Sequence, residues 1–326
     1  MTGTMTAAVG FAAMLLMIAF RAPIGLSMLI VGAVGYAHLS SFNALFGYMK
    51  TNAYHQFANY TLSVIPLFIL MGALAERAGI ARALFASAER AFSRLNGGLA
   101  MAVIGACTAF GAICGSSVAT TATFGRAALP ELRKYRYDPG LSTGTIAVGG
   151  TLGILIPPSV ILVVYAITTE QNIAKLFQAA LIPGLLAAIF YCIVIAIVVR
   201  RNPELAPKSE PIVVEAKPQP LWPKLLGAVL LAAIAAQVYR GVLSFGFGAT
   251  LATLSLLIMI IDVAVMPAIM VAIIVVGGIY GGIFTPTEGA AVGAIAMLAI
   301  GVFSRSLGRS EIVEALRQTT ETSGMI

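Results

Sequence analysis

Two clusters of glycine, hydroxyl and proline residues interrupt apolar segments of the chain. The first cluster is GSSVATT at 115–121, and the second is GGTLGILIPPS at 149–159. Its adjacent prolines remove two backbone donors, so the helix must unwind and expose carbonyl groups there. Hydroxyl and carbonyl oxygens are hard ligands suited to sodium, and half-helix N-termini attract anions. The two breaks therefore predict an ion and substrate site between them.

The predicted sodium and substrate region takes residues from both breaks, and its glycines permit close backbone approach. The residues are Gly115, Ser116, Ser117, Thr120, Gly149, Gly150, Thr151, Pro157 and Pro158. Thr121 and Thr123 add further hydroxyl oxygens nearby. Structural alternatives stay open at this point. The small residues could serve only helix packing, and the prolines could produce only a kink.

Other chemistries lack the residues that they need. Both histidines lie outside the apolar spans, so no zinc-protease motif is predicted, and no Walker loop is present for ATP. A serine hydrolase centre at Ser116 or Ser117 has no obvious intramembrane base. The three cysteines lie inside apolar segments, which favours packing over disulfides or metal ligands. We therefore predict neither an enzyme nor a transition-metal site.

The composition indicates that membrane helices hold these breaks. Of the 326 residues, 59% are hydrophobic and only 10% are charged, against roughly 25% charged in soluble proteins. Apolar runs without two-residue alternation favour helices over a barrel. The net charge of +7 is concentrated at the ends of apolar runs, which is typical of cytoplasmic loops and not of nucleic-acid binding. The predicted fold class is an all-α polytopic membrane protein.

The apolar runs predict a series of spans joined by short polar segments. Spans are expected at about 5–20, 23–38, 61–75, 174–199, 224–239, 242–261 and 264–283, with a further apolar helix ending at Phe303. The first two form a helical hairpin, and residues 39–60 suit an extramembrane or interfacial stretch. Residues 76–94 predict an amphipathic helix along the membrane surface. Glu288 is interpreted as a helix-start residue and Arg126 as an interfacial anchor.

Charge placement favours a re-entrant hairpin at 97–132, with its tip at 115–117. Arg90 and Arg94 precede this segment and Arg133 follows it. If both flanks are cytoplasmic, the chain must enter and leave the membrane on the same side. A plain span is the alternative, and it would leave one basic cluster outside. Residues 141–170 predict an interrupted span around the second break.

Four regions follow from this organisation. Residues 1–96 hold scaffold spans and an amphipathic arm helix, and 97–200 hold the first hairpin and the broken-helix transport region. Residues 201–223 form a polar loop rich in Pro, Lys and Glu. Residues 224–326 begin a second repeat, because a span, a short polar motif and a basic amphipathic helix loosely repeat the order at 61–96. A second hairpin should come next and is missing from this chain.

Several motifs in order resemble the large membrane subunit of tripartite ATP-independent periplasmic (TRAP) transporters. They are LSVIPLFILMG at 62–72, NGGLA at 96–100, GSSVATTAT from Gly115, GGTLGILIPPS from Gly149 and GIFTPTEGAAVGA from Gly282. The likeness covers most of residues 1–200 and again about 277–326. The chain departs from the family pattern at 225–276, which is longer and more apolar. Chains of this family also continue past the equivalent of Ile326, so we expect a truncated polypeptide.

The resemblance implies sodium-coupled secondary import of organic anions, such as C4-dicarboxylates, sialic acid or keto acids. It implies a periplasmic substrate-binding protein, a small four-helix membrane subunit, and residence in a bacterial or archaeal cytoplasmic membrane. It also implies an elevator-type architecture with inverted repeats and no cofactor besides sodium ions. The tip and the unwound segment would supply a first sodium site and part of the substrate site, and Thr285 and Thr287 a second ion site.

Two alternatives remain open at the level of function. A self-sufficient sodium/dicarboxylate symporter of related architecture would need no binding protein. A non-transporting membrane scaffold would respond to substitutions at the hairpin tip through assembly alone. The need for a binding protein and the presence of ion binding separate these possibilities.

Overall fold

The computed structural model describes residues 3–57, 60–207 and 265–324, and all regular elements within these ranges are helical. The helices are α1 Gly3–Ala19, α2 Ile24–Leu39, α3 Phe42–Phe57, α4 Val64–Arg77, α5 Ile80–Phe92, α6 Gly98–Cys114, α7 Ser117–Ala127, α8 Leu129–Lys134, α9 Pro139–Leu155, α10 Val160–Thr168, α11 Ile173–Arg201, α12 Met266–Ala272, α13 Pro286–Phe303 and α14 Arg309–Ser323. A π-helical turn, Ile273–Gly277, and a helical turn, Gly278–Tyr280, extend α12. The predicted spans at 224–239 and 242–261, and most of the 201–223 loop, lie outside the described residues.

The described chain divides into two compact units, residues 1–63 with 320–326 and residues 64–319. In the first unit, α1 and α2 form a hairpin, as predicted. The turn between them places Arg21 in the left-handed region (φ 65°), and the Ala22 amide donates to the Met17 carbonyl at 3.0 Å, as in a Schellman motif. Residues 39–60, expected to be interfacial, contain the helix α3, whose Tyr48 ring lies 5.4 Å from that of Tyr36.

Among the described helices of the second unit, α6 is the most deeply buried, because α4, α5, α7, α9 and α11 all pack against it. Its large apolar side chains are almost fully buried. They include Val103, Ile104, Phe110 and Ile113. Small residues allow close helix crossings around it, since a Cβ at Gly72 would lie 3.0 Å from Cys114 Cα, and one at Gly111 would lie 3.1 Å from Gly153 Cα. The core therefore sits directly beside the first break.

Helices α6 and α7 form the predicted hairpin. A continuous helix would separate Phe110 and Phe124 by about 21 Å along its axis. Instead, their ring centroids lie 5.7 Å apart in an edge-to-face contact, and both side chains are fully buried. The chain therefore reverses at Gly115 and Ser116, and the plain-span alternative for residues 97–132 is wrong.

The predicted interruption within residues 141–170 is also confirmed. Helices α9 and α10 are separated by the nonhelical residues 156–159, and their axes differ by 44°. Pro157 and Pro158 are both buried, and the peptide bond between them is cis. The long span predicted at 174–199 matches α11, which accommodates Pro183 within its length.

The amphipathic helix predicted from residue 76 begins later than expected. Helix α4 continues to Arg77, Gly79 adopts a left-handed conformation (φ 78°), and α5 starts at Ile80. The glycine breaks the helix because it adopts this conformation with little steric cost. The amphipathic character of α5 is confirmed, since Leu84 and Phe85 on its apolar face are buried.

Among the described residues, three helices are long and apolar enough to cross a membrane. They are Tyr60–Arg77, which is α4 together with the 3-10 turn Tyr60–Ser63 before it, Ile173–Arg201 and Pro286–Phe303. The bent pair α9–α10 makes a fourth if it counts as one span. Helices α4 and α13 pack closely, because Gly293 leaves room for Met71. These features confirm an all-α polytopic membrane protein.

Candidate ion and substrate site

The two helix breaks predicted from the sequence meet in the second unit. The backbone amide of Val160, at the start of α10, donates to the Gly115 carbonyl at 3.3 Å. A Cβ at position 115 would lie 2.6 Å from the Pro158 carbonyl oxygen. The hairpin tip and the proline break are therefore in direct backbone contact, although 42 residues of chain lie between Gly115 and Pro158.

Local sequence explains why two helices begin at this point. Gly115 ends α6 in the left-handed conformation (φ 64°), which costs a residue with a Cβ about 1–2 kcal/mol. Ser116 then caps α7, its Oγ accepting from the Ala119 amide at 3.3 Å. Ser159 caps α10 in the same way, accepting from the Leu162 amide at 3.4 Å. Two helix N-termini, each with a positive dipole end, thus start from contacting segments.

Glycines on α9 bring this helix against the hairpin tip. A Cβ at Gly153 would lie 2.5 Å from Thr120 Oγ1 and 2.8 Å from the Ser116 carbonyl oxygen. A Cβ at Gly150 would overlap the Thr121 hydroxyl and lie 3.3 Å from the Ser117 carbonyl oxygen. Backbone and hydroxyl oxygens of the tip therefore reach the surface of α9 because side chains are missing there.

The remaining predicted residues of α9 have different surroundings. Gly149 faces α6, where a Cβ would lie 3.0 Å from Cys107 Sγ. The Thr151 hydroxyl donates to the Val148 carbonyl at 2.7 Å and lies 3.4 Å from Tyr191 Oη on α11. The structure thus joins Gly150 to the tip, while the hydroxyl of Thr151 contacts a different helix.

Oxygen atoms dominate the chemistry that this region offers. Neither 115–121 nor 149–159 contains an ionisable side chain. The Thr120 hydroxyl donates to the Ser116 carbonyl at 2.7 Å. Deeper along α7 and α9, three buried hydroxyls, those of Thr123, Ser142 and Thr145, have no hydrogen-bond partner among the described residues. The neutral carbonyl and hydroxyl oxygens of the tip are hard ligands of the kind that bind a hard cation.

Ionisable groups with shifted pKa values lie at the base of the hairpin. Burial, followed by repulsion from the Glu131 carboxylate, raises the pKa of Glu89 on α5. Burial also raises the pKa of Tyr137, which precedes α9. Across residues 3–57, 60–207 and 265–324, no three His, Cys, Asp or Glu side chains cluster as a metal centre requires. The tip and the break therefore have no acidic side chain of their own to attract an ion.

The predicted second ion site has a different geometry. The Thr285 hydroxyl accepts from the Glu288 amide at 3.3 Å, and the Glu288 carboxylate accepts from the Thr285 amide at 2.8 Å. This capping box confirms Glu288 as a helix-start residue. Thr287 is buried, and Thr285 lines an open cavity of about 500 Å³ together with Gln171. In this arrangement the Thr285 oxygen already has a structural role.

Ser159 and Gly153 are not among the site residues predicted from the sequence. Both had a readable signal. Ser159 precedes an apolar run, which is typical of a helix N-cap. Gly153 lies three residues after Gly150, and this spacing puts both glycines on one face of α9. Their contacts with the tip could not be predicted, because the sequence does not say which segment packs against them.

Comparison with known proteins assigns the chain to a family. The sequence model of one protein family, described as tripartite ATP-independent periplasmic transporter, DctM component, matches residues 11–326. A C4-dicarboxylate TRAP transporter large permease protein of Pseudomonas aeruginosa is 33% identical over 82% of this chain and 53% of its own length. An ectoine TRAP transporter large permease protein of Halomonas elongata is 33% identical over 42% of this chain and 33% of its own.

A third relative is the isethionate TRAP transporter permease protein of Oleidesulfovibrio alaskensis, which is 31% identical over 55% of this chain and 28% of its own length. The chain spans about half the length of the Pseudomonas relative. The family consists of transporter permease components and not of enzymes. Because the family match covers nearly the whole sequence, this chain belongs to the DctM component family of tripartite ATP-independent periplasmic transporters.

Proposed function

We propose that this chain is part of the large subunit of a transporter that imports organic anions with sodium. Support comes from the family match and from relatives named for C4-dicarboxylate, isethionate and ectoine transport. The proposal includes a periplasmic substrate-binding protein, a small four-helix membrane subunit and a location in a bacterial or archaeal cytoplasmic membrane. The substrate class is carboxylates and related small organic acids.

The meeting of the two breaks is the observation that carries this proposal. The Val160–Gly115 hydrogen bond and the glycine contacts of α9 bring hydroxyl and carbonyl oxygens together beside the starts of α7 and α10. The oxygens suit a sodium ion, and the two helix N-termini favour an anion. A sodium ion bound here would add positive charge beside the anion. Each ligand would therefore strengthen binding of the other, as coupled transport requires.

Close interlocking of the two breaks also supports an elevator-type mechanism. Backbone contacts join Gly115 to Pro158 and Gly111 to Gly153, and none of these contacts depends on a flexible side chain. A region packed in this way would move as one body and carry its bound ion with it. The proposal assigns Thr285 and Thr287 to a second ion site at the start of α13, where Thr287 is buried.

The first experiment measures sodium binding directly by isothermal titration calorimetry on the purified chain, with potassium as the competing cation. We expect Gly150→Ala to lower sodium affinity at least tenfold, because the added methyl group displaces Thr121 and crowds the Ser117 carbonyl. Ser117→Ala tests the hydroxyl contribution. Gly144→Ala on the same helix is the matched control, since its Cβ meets no atom within 4 Å. Unchanged sodium affinity in both Gly150→Ala and Ser117→Ala would overturn the proposed site.

The second experiment distinguishes the open alternatives. Uptake of labelled carboxylates is measured in proteoliposomes that contain the chain, the proposed small subunit and a loaded binding protein, with the sodium gradient present or collapsed. Gradient-dependent uptake that requires the binding protein supports the proposal. Uptake without the binding protein would favour a self-sufficient symporter. A chain that binds no sodium and assembles with the small subunit would be a scaffold.

A further inference from the structure

An apolar groove with one cationic end lies between α6 and α11. Its volume is about 850 Å³, and its walls include Ile104, Ile189 and Ile193. Asn96 and Arg200 line it as well, and both belong to the same end of the two helices. This groove is separate from the helix breaks, because its lining on α6 ends at Thr108, whereas the Gly115 tip follows the other end of that helix.

The two helices run in opposite directions along the groove. A Cβ at Gly97 would lie 2.9 Å from Val199 Cγ2, so the start of α6 meets the last turn of α11. From this end the lining continues to Thr108 on α6 and to Leu185 on α11. These stretches correspond to about 18 and 22 Å of helix. One leaflet of a bilayer has about 15 Å of hydrocarbon, so a single acyl chain fits along the groove.

The polar end of the groove is suited to a phosphate group. Within the described ranges, Arg200 has no acidic partner, although its guanidinium can donate two parallel hydrogen bonds to a phosphate. The Asn96 amide adds a further donor, and the N-terminus of α6 begins two residues later. Ile189 and Ile193 are about half exposed, which keeps the groove open along its side.

We propose that this groove binds one anionic phospholipid, with an acyl chain between α6 and α11 and the phosphate at Arg200 and Asn96. The match of charge and length carries the inference. The apolar walls accept any acyl chain, whereas the Arg200 guanidinium, which has no acidic partner among the described residues, prefers a headgroup with net negative charge. Arg200 and Arg201 end a membrane span, and such basic residues mark the cytoplasmic side, where anionic lipids are available.

The test is native mass spectrometry of the purified chain in detergent, titrated with phosphatidylglycerol or with phosphatidylcholine of identical acyl chains. We expect preferential binding of one phosphatidylglycerol. Arg200→Gln should weaken that binding about tenfold, as expected for loss of a charge-assisted hydrogen bond. Arg201→Gln is the matched control, because this neighbouring arginine does not line the groove. Equal affinity for both lipids, or equal losses in the two variants, would overturn the proposal.

A second pair of variants tests the position of the acyl chain. Ala196 lines the groove and is exposed, so Ala196→Phe should fill the groove without disturbing the core. We expect it to weaken binding of both lipids, whereas Ile197→Phe, outside the groove, should leave binding unchanged. Unaltered binding in Ala196→Phe would contradict the assignment. So would a dimer that Ala196→Phe abolishes while the number of bound lipids stays unchanged, since a second copy and not a lipid would then occupy the groove.

The reactivity of Cys192 gives an independent measure of lipid binding in the groove, without any substitution. It lines the groove and is partly exposed, whereas Cys107 and Cys114 are buried. Bound phosphatidylglycerol should slow its alkylation by a maleimide, and peptide mapping distinguishes it from the other two cysteines. Arg200→Gln should remove this protection. Protection that persists in Arg200→Gln would exclude Arg200 as the headgroup ligand.

Discussion

The helix starts at Ser116 and Ser159 use the same capping chemistry as the start at Thr285, in different surroundings. All three side chains accept a backbone amide three residues later. Ser116 and Ser159 begin helices from two chain segments in backbone contact, with Gly115 against Pro158. Thr285 instead belongs to a self-contained capping box beside an open cavity. A hydroxyl cap is therefore a structural device by itself, and it contributes to a candidate site where two broken helices meet.

The contact between the breaks also differs from a simple turn in what a methyl group would encounter. Gly79 and Gly115 both adopt the left-handed conformation, with φ of 78° and 64°. A Cβ at Gly79 meets no atom within 4 Å, whereas one at Gly115 approaches the Pro158 carbonyl. Gly79 is therefore needed only for its backbone conformation, whereas Gly115 is needed both for its backbone conformation and for close approach to Pro158.

The largest effect is expected from Gly115→Ala. The left-handed conformation should cost about 1–2 kcal/mol, and overlap with the Pro158 carbonyl about 1–3 kcal/mol more. Gly79→Ala is the control and should lose only the first amount. Chemical unfolding in mixed micelles measures both free energies of unfolding. Similar losses in the two variants would show that the tip does not need its close contact with the proline break.

A smaller effect is expected at the start of α13. Thr285→Ala removes the cap and should lower the free energy of unfolding by about 1 kcal/mol, whereas Thr285→Ser keeps the hydroxyl and the stability. Thr287→Val removes a buried hydroxyl and leaves the cap in place. If a second ion site exists here, sodium titration of Thr287→Val should reveal fewer bound ions. Normal sodium binding in this variant would restrict the region to a structural role.

The smallest effect is expected at the base of the hairpin. Arg126 on α7 forms an ion pair with Glu76, whose carboxylate also accepts from Gln318 at 3.5 Å. The Arg126 side chain is 69% exposed, so Arg126→Ala should cost less than about 1 kcal/mol. Arg133→Ala serves as the control in thermal unfolding. A loss as large as that of Gly115→Ala would place the main attachment of the hairpin at its base and not at its tip.

Much of the secondary structure was predictable from local signals. Long apolar runs predicted the spans that correspond to Tyr60–Arg77 and to α11, and the proline pair predicted the break between α9 and α10. Basic residues on both flanks predicted the reversal at Gly115. These signals work because each depends on neighbouring residues or on a simple membrane rule.

Other features depended on contacts between distant segments. Helix α5 starts at Ile80 and not at the predicted residue 76, because Gly79 adopts a left-handed conformation. The sequence did not indicate this, since an isolated glycine can either continue a helix or break it. The hydroxyl of Thr151 lies by Tyr191 on α11, which its position beside Gly150 did not indicate. Ser159 and Gly153 belong to the candidate site only because the segments packed against them include the hairpin tip.

The sequence by itself determined the class of protein, the family motifs and the two places where the helices break. Composition, proline chemistry and charge placement act over a few residues, so they can be read along the chain. Only the tertiary structure decided that the breaks share one location, joined by the Val160–Gly115 hydrogen bond and by glycines that admit the opposite backbone. That outcome depends on the direction and spacing of whole helices, which packing across the core sets and local sequence does not.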